Sequence, residues 1–168
     1  MKTISIKLYE YSELSKEAKA KALAEWNDEN NDYLFLEEDI KDTCTTLLTK
    51  YGITGDPVEV SYSLSYCQGD GAMFYGTFTW KDYSIKINHV GRYSHSNSKE
   101  IEILNEKTGI NAPEAAERAF EIIYQSICEA METRGYAHIE AERSEEFFIS
   151  ACEANDYTFE ADGTMRNA

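Results

Sequence analysis

Between residues 58 and 80 the chain alternates apolar and polar side chains in two runs separated by QGDG. Val58, Val60, Tyr62, Leu64 and Tyr66 fall on one side of the first run, with Glu59, Ser61, Ser63 and Ser65 on the other. In the second, Ala72, Phe74, Gly76, Phe78 and Trp80 alternate with Met73, Tyr75, Thr77 and Thr79. A period of two marks a half-buried strand, so the stretch predicts a β-hairpin. A two-residue Asp70-Gly71 turn would set Tyr66 opposite Tyr75 and bring unlike faces together, because a one-residue slip exchanges the faces of a strand. A three-residue loop, Gly69-Asp70-Gly71 with Gly71 left-handed, pairs Tyr66 with Phe74 and Leu64 with Gly76 and keeps the faces consistent.

The flanking pattern supplies the other elements. Ile4, Ile6 and Leu8 alternate with Thr3, Ser5 and Lys7, which predicts a strand over 3–9. Ser15 is placed to cap a helix over 16–26, rich in alanine and carrying Leu23 and Trp26. The polar residues 27–32 interrupt it. Leu36, Ile40, Cys44, Leu47, Leu48 and Tyr51 then recur at helical spacing up to Gly52, whose neighbour Ile53 can pack back on the last turn. Gly55-Asp56-Pro57 reads as a turn into the hairpin. Lys81-Asp82 reads as a second turn, leading to a third antiparallel strand over 83–90. Residues 91–99, rich in Gly, Ser and Asn, read as a mobile loop, followed by a short strand over 100–104.

Asn111-Ala112-Pro113-Glu114 is a helix start. Ala116, Phe120, Ile123, Ile127, Ala130 and Met131 follow on one face, and Gly135 either ends this helix or is absorbed into it on the way to Glu142. A short helix restarts at Ser144 with Phe147, Phe148 and Ala151, and residues 157–159 read as a closing strand before the turn Asp162-Gly163 and a frayed end. Because the strands cluster in the middle, the expected class is α+β: an antiparallel sheet of about five to six strands with helices packed on one face, in a single domain.

Charge changes this picture most. Asp+Glu 31 against Lys+Arg 16 gives a formal net charge of -15. Such a field repels nucleic acid and membrane surfaces and attracts basic ones, with association that weakens as salt rises; solubility alone is the plainer explanation. The cysteines Cys44, Cys67, Cys128 and Cys152 lack zinc or CxxC spacing and read as reduced, mostly buried thiols. Neither an apolar leader segment nor a membrane-length apolar run is present, so a cytoplasmic protein without membrane association is expected.

The carboxylates fall in two blocks. Glu25, Asp28, Glu29, Asp32, Glu37, Glu38, Asp39 and Asp42 share their stretch with one base, Lys41. Glu140, Glu142, Glu145, Glu146, Glu153, Asp156, Glu160 and Asp162 share theirs with Arg143. Side by side, the blocks would form an extended negative surface able to imitate DNA phosphates, which recur about every 1.7 Å of duplex axis; apart, they are two solvated helix faces. Gln68 and Asp70 at the hairpin tip are explained first by turn chemistry and are secondary contacts at most. Asp28, Asn30, Asp32 and Asp39 outline a calcium loop, yet Tyr33 stands where that loop needs glycine and its last ligand would be Asp rather than Glu. His89, His95 and His138 carry no local metal signature. No catalytic residue, metal or cofactor is expected from the motifs.

YEYSELSKEAKAKALAEW, SYSLSYCQGDGAMFYG and ANDYTFEADG together resemble a family of small acidic, mostly uncharacterised proteins of phages and other mobile elements. The resemblance implies an inhibitor of a host defence system, of anti-CRISPR or antirestriction type. It would act in the host cytoplasm by binding a basic host protein or nucleoprotein complex rather than nucleic acid itself. The alternatives are a small metal-dependent enzyme using Asp70, His89 and His95, and an accessory phage protein that binds a small molecule or a replication partner.

Overall fold

The computed structural model describes residues 6–166, without the side chains of residues 56 and 57. Its architecture is α+β, and its contacts divide it into two compact units. One holds the described residues of Met1–Leu34 and Ile139–Ala168, and the other holds Phe35–His138.

The larger unit contains helix α2 (Leu36–Lys50), strands β1 (Ile53–Ser63), β2 (Gly71–Trp80), β3 (Tyr83–His89) and β4 (Lys99–Asn105), and most of helix α3 (Glu114–Glu142). The strands form one antiparallel sheet in the order β1-β2-β3-β4. Gly52 ends α2 with a φ of 68°, and the chain enters β1 at once. The turn expected at Gly55-Asp56-Pro57 is instead part of β1. Ile53 pairs with Trp80 before an irregularity between Asp56 and Glu59, and Val60 pairs with Phe74 after it. One extra residue in a strand changes which side the following residues face. Odd-numbered Ile53 and even-numbered Val60 therefore share a side, and Pro57 interrupts no central ladder because β1 lies at the sheet edge.

The hairpin register differs from the expected one by six residues. Ser63 pairs with Gly71 and Val60 with Phe74, leaving residues 64–70 as a long loop. Because the slip is even, the faces are those the alternation required. One face carries Phe74, Phe78, Trp80, Ile85, Ile87 and Ile103, all buried. Helix α3 covers it, with Tyr124 4.8 Å from Phe74 and Phe120 5.6 Å from Trp80 between ring centroids. The Tyr124 hydroxyl donates to the Phe74 carbonyl at 3.2 Å. Alongside α3, α2 buries Ile40, Cys44 and Leu48. Gly135 lies inside α3, where a Cβ would come within 2.3 Å of Leu64 Cδ1 and 3.3 Å of Ile40 Cδ1, so its missing side chain lets the helix sit close. On the opposite face Met73 is also fully buried. The segment expected as a mobile loop over 91–99 folds over this side up to Ser98, and Lys99 opens β4: the Ser61 and Ser94 hydroxyls lie 2.8 Å apart, and a Cβ on Gly71 would meet His95 Cβ at 2.7 Å.

The smaller unit is built on α1 (Lys16–Glu29) and α4 (Glu145–Ala154). Their N-caps are Ser15, which accepts from the Ala18 N–H, and Ser144, which accepts from the Phe147 N–H, both at 3.2 Å. Helix α1 runs beyond the expected end at Trp26. Tyr11, Leu14, Ala18, Ala22, Phe148, Cys152 and Phe159 form the core, with the Tyr11 and Phe148 rings edge to face at 5.1 Å. Of the strand expected over 3–9, Thr3, Ile4 and Ser5 lie outside the described residues, and Tyr9 forms a single bridge to Phe159. The closing strand is β5 (Thr158–Phe159). It pairs with β6 (Met165–Arg166), a segment expected to be frayed. The six strands thus divide into a four-stranded and a two-stranded sheet. All four cysteines are free, with Cys67 exposed and the others buried. No described helix is long and apolar enough to cross a membrane.

Candidate binding surfaces

In the smaller unit the first half of one acidic block meets the start of the other. The Asn27 side-chain amide, near the end of α1, donates to the Arg143 carbonyl at 3.1 Å, and the Arg143 guanidinium donates to the Tyr33 hydroxyl at 3.2 Å. These bonds hold the C-terminal end of α1 against the turn between α3 and α4. Exposed Glu25, Asp28, Glu29 and Asp32 lie on one side of the junction, and exposed Glu140, Glu145 and Glu146 with half-buried Glu142 lie on the other. Glu25 faces Lys21 at 3.7 Å, and the Glu145 carboxylate accepts from the Tyr11 hydroxyl at 3.0 Å. Burial first, and that bond second, push the Tyr11 phenol up.

Several of these carboxylates oppose local helix physics. A helix C-terminus carries partial negative charge and favours cations. Helices α1, α3 and α4 have no base in their last turns, where Asp28, Glu29, Glu140, Glu142 and Glu153 stand. Glu25, Asp28 and Glu29 also sit at three- and four-residue steps, a like-charge arrangement that costs about 0.2–0.5 kcal/mol per pair.

The remaining acidic candidates, Glu37, Glu38, Asp39 and Asp42, belong to the larger unit. Glu38 and Asp42 are exposed. Glu37 is paired with Lys41. Asp39 is half-buried and serves the fold: His138 Nδ1 lies at 2.7 Å and an Arg134 guanidinium nitrogen at 2.8 Å from its Oδ2. The hydrogen bond with His138 is the main reason its carboxyl lies below the usual range, with Arg134 adding to it. Arg134 and His138 are four residues apart on one face of α3, a spacing that could have marked an anionic partner in advance.

Asp70 is likewise taken up internally. Its carboxylate accepts from the N–H groups of Ser65 at 2.7 Å and Cys67 at 2.9 Å, from the Ser63 hydroxyl at 3.2 Å, and from the Tyr136 hydroxyl at 2.6 Å. Burial acts to raise this carboxyl, but the bonds from Tyr136, Cys67 and Ser65 outweigh it and hold it far below the usual range. Asp70 therefore shapes the long loop, while Gln68 stays exposed at its tip. The Tyr66 and Tyr136 rings lie beside it, 4.7 Å apart and tilted by 39°.

The histidines do not converge with Asp70 into a metal centre. His89 Nε2 lies 2.8 Å from the Tyr93 carbonyl, and His95 Nδ1 accepts from the Asn97 N–H at 3.3 Å. Among the described residues no group of three His, Cys, Asp or Glu side chains is arranged to hold a metal ion. A cleft of about 460 Å³ opens in the smaller unit between Tyr11, Lys19, Cys152, Glu153, Asp156 and Tyr157. Compared with protein-family models, curated proteins and solved structures, the chain gives no match.

Proposed function

We propose that this chain is a phage-encoded inhibitor of a host defence system, of anti-CRISPR or antirestriction type, that binds a basic, nucleic-acid-binding surface of its target. The observation that carries the reading is the acidic junction of the smaller unit. Asp28, Glu29, Glu140 and Glu142 stand at helix C-termini, where local stability disfavours acids and which a solvated helix face does not require, whereas Glu145 and Glu146 stand in the first turn of α4, where the dipole favours them. Glu25, Asp28 and Glu29 place three charges within four residue steps, about 6 Å of helix axis. A duplex presents roughly three or four phosphates over that length. The net charge of -15 supports steering toward a basic partner, and the resemblance to mobile-element proteins supports a host defence target.

The test is inhibition of DNA binding by purified restriction and CRISPR effector complexes in the presence of the protein. Inhibition of at least one effector, relieved by added salt and by Lys substitution of Glu25, Asp28, Glu29, Glu140 and Glu146, is expected. Inhibition that survives both treatments would remove the mimicry mechanism, and a lack of inhibition across the effectors would remove the function. An enzyme using Asp70, His89 and His95 is disfavoured, because Asp70 is occupied by five donors, the Cys67 thiol among them, and the histidines are directed at backbone groups.

A further inference from the structure

In the larger unit, β4 is an edge strand whose outer side is only partly used. The chain's own residues Ile110–Ala112 pair with one half of it: the Ala112 N–H donates to the Ile103 carbonyl and the Asn105 N–H to the Ile110 carbonyl, both at 2.9 Å, around the antiparallel bridge of Leu104 with Asn111. Pro113 then turns the chain away into α3. Backbone groups along a strand point alternately to its two sides. Since Ile103 and Asn105 point outward, Ile101 and Lys99 do too, and among the described residues the strand from Lys99 to Glu102 presents about 10 Å of edge with no strand beside it. An edge of that kind is a template for another strand.

Beside this edge runs a groove of about 540 Å³ between β4 and α3. Ile101, Ile103 and Phe120 line it, and Ile122, 71% exposed, stands on its rim. Its charge is biased. Arg118 on the rim is paired with Glu114 and Lys99 with Glu121, whereas Glu117 is exposed and Glu100 and Glu102 project from the strand itself. Burial acts to raise the Glu121 carboxyl, but the bonds from Gln125 and Lys99 outweigh it and keep it ionised.

We propose that the β4–α3 groove binds an extended, basic peptide segment of a partner protein by adding it as a fifth strand to the sheet. Main-chain bonds to the N–H and carbonyl of Ile101 and to the carbonyl of Lys99 fix the segment. Alternate apolar side chains enter the groove, and intervening Lys or Arg side chains meet Glu100 and Glu102 on the other face of the sheet. A second copy of this chain is a poor occupant, because edge-to-edge pairing would bring Glu100 and Glu102 beside their counterparts between two bodies of charge -15. The groove is built from residues of the larger unit and the acidic junction from residues of the smaller one, so this proposal stands or falls independently of the inhibitor reading.

The test titrates the isotope-labelled full chain with three capped decapeptides: alternating Lys-Val, the same sequence N-methylated at every second residue, and the same composition in block order. The alternating peptide is expected to shift the Ile101 and Ile103 amides and to slow exchange at Ile101. N-methylation, which removes main-chain donors, should weaken binding by about tenfold or more. Ile122→Lys, at a position exposed enough to leave the fold unchanged, should weaken it similarly. The block peptide, carrying the same charge, should leave those two amides unmoved. Unshifted Ile101 and Ile103 amides at millimolar alternating peptide would overturn the proposal. So would equal binding of the N-methylated peptide, or concentration-dependent protection of Ile101 in the free chain, which would assign the edge to self-association.

Discussion

Replacing Asp70 by Asn keeps the size of the side chain and removes its charge, which tests whether the carboxylate organises the 64–70 loop. Hydrogen bonds to a charged group contribute about 1.5–3 kcal/mol net when protected, and less where freed partners can hydrate. The N–H groups of Ser65 and Cys67 lie on exposed residues, so water can replace the carboxylate there; the 2.6 Å bond from Tyr136 is the better protected. Counting that bond in full and the amides at a discount, Asp70→Asn should destabilise the chain by about 2–3 kcal/mol at pH 7. The sign of the pH dependence follows from the lowered carboxyl. A group whose folded pKa is depressed stabilises above its unfolded value, about 3.9 for Asp, and loses that contribution as pH falls through the folded value. The gap between wild type and variant should therefore be full from pH 7 to about 5 and narrow below about pH 4. Urea denaturation at pH 7, 5 and 3, with exchange of the Ser65 and Cys67 amides as the local readout, measures it. A gap under about 0.5 kcal/mol at pH 7, or one unchanged at pH 3, would refute the reasoning.

Two further outcomes follow from particular contacts. Gly163 has a φ of 91°, and a Cβ there would lie 2.2 Å from the Ala18 carbonyl oxygen, whereas Gly109 at 65° faces open space. Thermal denaturation should show a loss of about 2–4 kcal/mol for Gly163→Ala and only about 1 kcal/mol for Gly109→Ala. The thiols should separate by alkylation at pH 8. Burial raises Cys44, and raises Cys128 and Cys152 to about 12 and 11, so only exposed Cys67 should react in the native chain and all four in denaturant. Asp70 raises the Cys67 thiol through its hydrogen bond, so Cys67 should react faster in Asp70→Asn.

The helices and the middle of the sheet were legible in the sequence because each carried its own signal. Ser15, Leu36, Gly52 and the alternation of Tyr83, Ile85 and Ile87 mark elements that the structure contains at nearly those boundaries. The hairpin shows where local rules stop. Alternation fixes register only modulo two, so it selected the right faces and left the number of loop residues open; the bonds from Ser63, Ser65, Cys67 and distant Tyr136 that hold Asp70 in the long loop carry no periodic signal. Pro57 was read as a turn because a single sequence does not show that β1 is an edge strand with a bulge. The acidic blocks were visible as composition, but which carboxylates remain available was not. Asp39 is drawn into a pair with Arg134 and His138 on α3, far away in sequence, and the junction of the blocks rests on Asn27 and Arg143. The β4 edge went unnoticed because unpaired backbone groups leave no trace in side-chain pattern.

The measurement that bears most directly on the inhibitor reading is the salt dependence of its complex with whichever purified defence effector it inhibits. Wild type should show affinity that falls steeply and log-linearly with salt concentration. Lys substitution of Glu25, Asp28, Glu29, Glu140 and Glu146 should abolish both the slope and the inhibition, while the same number of substitutions at Glu17, Asp82, Glu106, Glu114 and Glu129, all exposed and outside both surfaces, should reduce them only modestly. Equal losses from the two sets would show that net charge rather than the acidic junction is recognised, and a slope near zero in wild type would contradict recognition of a basic surface altogether.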